Sequence, residues 1–201
     1  MTSERLTEPA AAGAFRLVLI RAAETDFRRA GRMEGDVDLP LTERGRATAR
    51  RLVADMDVPV AVYCAANQSS RETAQIVAGG VGMKVKVLSG LRGLSLGLWE
   101  GQILADVRQR FARVYDCWQR DPFSITPPGG EEMEDAVRRT RSATNTILRK
   151  HRKGTVAVVA PETVIGLVRC HLGECPPDEL FRPERRMGHA ETVSMNGRVR
   201  I

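Results

Sequence analysis

The stretch Leu17-Val18-Leu19-Ile20-Arg21-Ala22-Ala23-Glu24-Thr25, with Gly31-Arg32-Met33-Glu34-Gly35 and Asp38-Leu39-Pro40-Leu41-Thr42-Glu43-Arg44-Gly45 behind it, sets the fold of this chain. Its opening, Phe15 to Ile20, is a short apolar run of the kind that forms a strand buried on both faces of a parallel sheet, and it delivers a cation, Arg21, to the strand's end. Thr42 is placed to cap a helix whose buried face is Ala49, Leu52, Val53 and Met56. Val60 to Tyr63, Lys84 to Leu88 and Thr155 to Ala160 repeat the short apolar or β-branched pattern. A helix that begins near Ser69 or Ser70 and stops at Gly79-Gly80 separates the first two.

Two longer helical patterns follow. Ile103, Val107, Phe111, Val114 and Trp118 recur at three- or four-residue spacing, as do Met133, Ala136, Val137, Thr140, Thr144, Ile147 and Leu148, and both stripes read as core. Between them, Asp121-Pro122 and Thr126-Pro127-Pro128-Gly129-Gly130-Glu131-Glu132 form a turn-rich loop that leaves acidic residues at the next helix's first turn. Pro161 fits the first turn of a helix running through Val164, Ile165, Leu167 and Val168. Thr192 to Met195 with Val199 to Ile201 reads as a final strand or hairpin. This alternation predicts a three-layer α/β/α sandwich with a mainly parallel sheet and a ligand site beyond the carboxyl ends of the strands, where Arg21 and Pro161 sit. Residues 1–14 read as a disordered tail, and 15–201 as one domain that is complete or nearly so.

With 201 residues and 42% hydrophobic content, the chain can bury one substantial core. No run approaches the roughly 20 apolar residues that span a bilayer, and Glu4 and Glu8 interrupt the first fourteen residues, which argues against a signal peptide and a membrane location. Scattered Cys64, Cys117, Cys170 and Cys175 suit a reducing cytoplasm better than a disulfide framework. Cys170-His171 with Cys175 gives three ligands at non-standard spacing with no fourth nearby, so no metal is expected, and no cofactor. The net charge of +6 is carried almost wholly by arginine, since Lys84, Lys86, Lys150 and Lys153 are the four lysines among 31 basic residues. With 4% aromatic residues the chain lacks the interleaved basic and aromatic pattern of a nucleic-acid binder.

Five segments, in order, resemble the histidine phosphatase (phosphoglycerate mutase-like) superfamily over roughly residues 15 to 170. They are the strand into Arg21-Ala22-Ala23-Glu24-Thr25, similar to Arg-His-Gly-Glu-Thr; Ala61-Val62-Tyr63-Cys64-Ala65-Ala66 with Glu72-Thr73-Ala74; Leu91-Arg92-Gly93 with Gly97-Leu98-Trp99-Glu100-Gly101; Pro127-Pro128-Gly129-Gly130-Glu131; and Val156 to Ala160 leading into Pro161. The resemblance implies a phosphoglycerate mutase-like fold and phosphoryl transfer through a phosphohistidine. A nucleophilic imidazole accepts the phosphoryl group, a glutamic acid protonates the leaving oxygen, and two arginines with a second histidine hold the developing charge.

Carried onto this chain, the nucleophile's position is Ala22, the second phosphate arginine's is Ser69, the acid's is Gly93 and the second histidine's is Pro161; Arg21 alone remains. Alanine, glycine and proline side chains cannot attack phosphorus, move a proton or clamp an oxyanion, and loss of one member of a cooperating site costs on the order of 10⁴ to 10⁶ in rate. His151 falls at the amino end of its strand and His171 some way along the helix after Pro161, so neither is placed to substitute, while His189 cannot be positioned. Arg71 could supply a displaced charge only if the register at Ser69 were shifted. The expectation is a degenerate, catalytically inactive member of the superfamily whose Arg21, Arg28 and Arg32 could line a pocket for a phosphorylated or other anionic ligand, or which acts through a protein partner. Internal neutralisation of Arg21 by Glu24 or Glu162 competes with that pocket. A residual phosphatase or mutase acting on a small phosphate ester, and a basic nucleic-acid or protein-binding scaffold, are the alternatives. Trp99 is expected to pack beneath its loop, and Glu100 to be exposed or capping.

Overall fold

The computed structural model describes residues 14–54, 56–174, 180 and 190–194. Five strands form one sheet: β1 (Phe15–Arg21), β2 (Ala61–Cys64), β3 (Val85–Val87), β4 (Gly154–Ala160) and β5 (Ala190–Ser194), in the order β3-β2-β4-β1-β5. The first four run parallel, and β5 joins β1 antiparallel, with Leu17 opposite Val193. The helices are α1 (Asp26–Arg29), α2 (Glu43–Ala54), α3 (Gln68–Gly79), α4 (Leu104–Arg110), α5 (Ala112–Arg120), α6 (Met133–Lys150) and α7 (Glu162–His171). The expected α/β/α sandwich with its mainly parallel sheet is therefore present. The tail expected over residues 1–14 lies outside the described residues except for Ala14, as do Cys175, His189 and the Val199 to Ile201 run.

Alternation along the strands distributes the core. Leu17, Leu19, Tyr63, Val156 and Val158 face α6 and α7 through Ile147, Leu148, Val164 and Val168, while Val18, Ile20, Val62, Ala157 and Val159 face Ala74, Val77 and Ala78 of α3. Both faces of the sheet's centre are covered, so residues 17–20, 61–64 and 156–160 are apolar throughout, whereas the edge strands β3 and β5 carry Lys86 and Glu191. Thr42 Oγ1 accepts from the Gly45 amide at 2.9 Å and caps α2. Gly45 has a second constraint, since a Cβ there would collide with the backbone carbonyl of Glu24, against which the start of α2 lies.

Two expectations are corrected. The stripe from Ile103 to Trp118 is not one helix: the chain breaks at Phe111 (φ −122°, ψ 34°), so α5 starts on a rotated face. Tyr115 and Trp118 of α5 are buried, whereas Ile103, Phe111 and Val114 are exposed. Trp99 sits against Tyr115 and Trp118 at centroid distances of 6.1 and 5.7 Å, forming with Val107, Met133 and Leu167 a separate apolar cluster. In addition, α6 begins at Met133, one residue beyond Glu132, so Glu131 is not a first-turn charge. It is buried instead and accepts from Arg139 at 2.7 and 2.8 Å and from Arg92 at 2.8 Å.

His151, at the end of α6, lies 3.0 Å through Nε2 from the Tyr63 hydroxyl. Burial, and then the charges of Lys86 and Lys150, hold its imidazole below the usual histidine value of 6.5. The native state thus favours the neutral ring, whose contribution is complete above about pH 6.5 and is lost as pH falls through the lower folded value. Urea unfolding at successive pH values from neutral to mildly acid should show wild-type stability falling more steeply than that of His151→Gln. Parallel curves would remove this assignment.

Candidate functional site

The parallel pairing of β1 with β4 places Arg21 opposite Ala160, and the Ala22 amide donates to the Ala160 carbonyl at 2.9 Å. Both strands end here, so the segment after Arg21 runs beside Pro161 and the start of α7. Pro161 caps α7 rather than occupying its first turn, leaving Glu162 as the first helical residue. That position favours a carboxylate through the helix dipole. It also brings Glu162 Oε2 to 3.1 Å from Arg21 Nη1, which decides between the two carboxylates expected to neutralise Arg21. Glu24 is engaged elsewhere, accepting from Thr42 Oγ1 at 2.9 Å. Arg21 Nε is buried with no hydrogen-bond partner among the described residues.

Arg28 Nη1 donates to the Ala22 carbonyl at 2.7 Å and its Nη2 to Glu34 Oε2 at 2.9 Å, while Glu34 Oε1 accepts from Thr25 Oγ1 at 2.8 Å. Arg32 Nη1 donates to the Gly101 carbonyl at 2.6 Å, and residues 31–33 are held against 101–104 by backbone bonds, among them Met33 N to Gln102 O and Leu104 N to Gly31 O, both 2.9 Å. A cavity of about 480 Å³ opens at this place. Arg21, Arg28, Arg32, Glu34, Glu162 and Arg169 bring charge to its lining, and Met33, Leu94, Leu96, Leu104, Tyr115 and Trp118 bring apolar surface.

Arg21, Arg28, Arg32 and Pro161 thus share one cavity, as read from the sequence, but Ala22, Ser69 and Gly93 do not border it. Ala22 and Ser69 are 1% and 2% exposed. Ser69 Oγ accepts from Asn67 Nδ2 at 2.8 Å, and the Ser69 carbonyl accepts from Thr73 Oγ1, which itself accepts from the Ala23 amide. These bonds tie the start of α3 to the segment after β1 without leaving the hydroxyl for a ligand. Arg71 points elsewhere, to Asp38 at 3.7 Å. Around Gly93 the backbone is closely packed: a Cβ would collide with the Gly35 carbonyl and come within 3.0 Å of the Asp36 Cα. The Gly93 carbonyl accepts from Arg139, and Asp36 pairs with Arg92 at 3.1 Å. Burial nevertheless pushes the Asp36 carboxyl above the ordinary aspartate range, against the lowering effect of Arg92.

Glu100 is half-buried and, as expected of a capping residue, closes the short 3-10 turn Gly97–Trp99, its amide donating to the Gly97 carbonyl at 3.0 Å. Its Oε1 accepts from the amides of Asp36 and Leu96 at 3.0 and 2.9 Å and pins the two loops that border the cavity. Sequence reasoning overlooked Glu34, Arg169 and Tyr115. The acidic partner of Arg28 lies six residues away across a loop, and Tyr115 is not in the stripe read from the sequence, although its place three residues before Trp118 is a signal for it. His171 is bound to Asn145 at 2.8 Å at the far end of α7, and burial followed by Arg141 holds its imidazole below the usual range. Among the described residues no cluster of His, Cys, Asp and Glu could hold a metal ion.

A mainly parallel sheet of this order, with an arginine at the end of its first strand and a cavity beside the ends of β1 and β4, defines an α/β protein whose candidate site lies at the carboxyl ends of its strands. The family model for the histidine phosphatase superfamily, branch 1, matches residues 17–198, and the chain belongs to that superfamily. It is 24% identical over 162 residues to phosphoserine phosphatase 1 of Hydrogenobacter thermophilus, covering 78% of this chain and 75% of that one. It is 30% identical over 175 residues to a bifunctional protein of Mycobacterium tuberculosis, of which it spans 48%. The solved structure of Bacillus stearothermophilus YhfR matches with a TM-score of 0.83 at 30% identity, covering 92% of this chain and 94% of that chain.

Restoring a carboxylic acid at position 93 should therefore be resisted by the fold. Gly93→Glu is expected to lower unfolding free energy by about 1 to 3 kcal/mol, the usual cost of overpacking, because the obstructing atoms are backbone. Urea denaturation tests this, and unchanged stability would show that the Gly35-Asp36 segment yields.

Proposed function

We propose that this chain is a catalytically inactive member of the histidine phosphatase superfamily, a pseudoenzyme that binds a small anionic ligand in a regulatory role, with Arg21, Arg28 and Arg32 bordering the ligand cavity and residues 15–201 forming one domain. The observation that carries this reading is the Arg21–Glu162 contact at 3.1 Å, a carboxylate of the chain itself against the strand-end arginine, flanked by Ala22 and Pro161, which carry no ionisable group. Phosphohistidine chemistry needs an imidazole at the strand end, an acid beyond it and clustered cations, and the side chains at positions 22, 69, 93 and 161 supply none of these. Retention of the cavity and of an incompletely satisfied Arg21 supports ligand binding as the remaining use of the site.

No helix among the described residues is long and apolar enough to cross a membrane. The free thiols of Cys64 and Cys117 suit the reducing cytoplasm to which we assign the protein. Burial pushes the Cys64 thiol up to about 11, which makes it an inert core residue rather than a nucleophile.

The test is phosphate release from p-nitrophenyl phosphate, phosphoserine and 3-phosphoglycerate, together with Arg21→Ala. The expected result is no turnover above the buffer rate in either protein. Turnover that disappears in Arg21→Ala would establish an active phosphatase and overturn the proposal.

A further inference from the structure

The charges around the cavity do not balance, and the imbalance has a location. Arg21 is paired with Glu162 at 3.1 Å, Arg28 with Glu34 at 2.9 Å, and Arg169 lies 3.4 Å from Glu191. Arg32, the fourth guanidinium, has no carboxylate partner among the described residues; its Nη1 is fixed by the neutral Gly101 carbonyl, which orients the group without neutralising it. Among the described residues the lining thus carries one positive charge in excess. A phosphate monoester dianion placed against Arg21 or Arg28 would meet the carboxylates of Glu162 or Glu34 at close range, where like charges repel strongly in a partly dehydrated site. A single negative charge beside Arg32 meets no such opposition, and a planar carboxylate matches the two-pronged donor geometry of a guanidinium.

The cavity also has a large apolar surface. Leu94, Leu96, Tyr115 and Trp118 are each at most 8% exposed, and Leu104 completes the wall at the start of α4. A fully hydrated ion such as inorganic phosphate gains nothing from this surface, whereas a ring or short hydrocarbon body would bury against it. The volume of about 480 Å³ lies within the range of roughly 300 to 1,000 Å³ typical of small-molecule sites.

From this charge count and this wall we infer that the cavity takes an amphipathic organic monoanion, a carboxylate with an apolar or aromatic body, seated with its head on Arg32. The inference rests on the reading of the chain as inactive and names the ligand class for that cavity. Arg32 is the specificity-determining residue, and the Tyr115–Trp118 wall selects the body.

Calorimetric titration of the full chain with 2-naphthoate tests it. Wild type should bind; Arg32→Gln should bind about tenfold more weakly, and so should wild type with the neutral 2-naphthylmethanol. Leu104→Gln, on the wall, should weaken naphthoate, while Arg29→Gln, an exposed arginine paired with Asp26, should leave it unchanged. Inorganic phosphate should not displace the bound carboxylate. Absence of naphthoate binding to wild type, an equal loss in Arg29→Gln and Arg32→Gln, or displacement by phosphate would each overturn the inference. Naphthol release from 2-naphthyl phosphate in the same samples is a separate readout: it would contradict inactivity whether or not naphthoate binds.

Discussion

The parallel register of β1 on β4 is the constraint from which the rest of the site follows. Because Arg21 lies opposite Ala160, the two strands end at the same level, and whatever follows each of them must share the space above the sheet. A proline after β4 ends the strand and opens a helix, and the first residue of that helix is a glutamate. Its carboxylate is favoured there by the helix dipole and reaches the strand-end arginine, so the geometry that places this cation also supplies its internal counter-charge. The contact is partly exposed and its stabilising effect is correspondingly modest. Its importance lies in which ligands it opposes.

Other groups near the strand ends are also bonded within the chain. Arg28, on the cavity, is held by Glu34 and by the Ala22 carbonyl; away from it, Ser69 Oγ accepts from Asn67 and the Gly35-Asp36 backbone packs against Gly93. These contacts come from different loops and hold the segments around the strand ends together. The apolar cluster of Trp99, Tyr115 and Trp118 keeps a wall standing over this surface, which is why a cavity persists.

Much of the architecture was legible in the sequence because buried parallel strands announce themselves as short apolar runs, and Phe15 to Ile20 and Thr155 to Ala160 are nearly uninterrupted. The family was legible for a different reason: its motifs fall at strand ends and turns, where local geometry demands particular residues in a given order. What stayed hidden was pairing at a distance. Glu162 and Glu24 were equal candidates for Arg21 until the helix cap and the Thr42 hydroxyl distinguished them. The Arg28–Glu34 pair depends on a loop path, and the burial of Tyr115 on a single non-helical residue, Phe111, that periodicity passes over. Glu131 looked like a helix-start charge and is a buried partner of two arginines, because α6 begins two residues later.

The central claim is that Glu162 and Glu34, not a phosphate, satisfy Arg21 at the end of β1 and Arg28 in α1. A crystal structure of the protein grown in the presence of inorganic phosphate would test it most directly. The account predicts Arg21 still on Glu162 and Arg28 still on Glu34; a phosphate ion bridging the two guanidinium groups, with Glu162 turned out of the cavity, would contradict it.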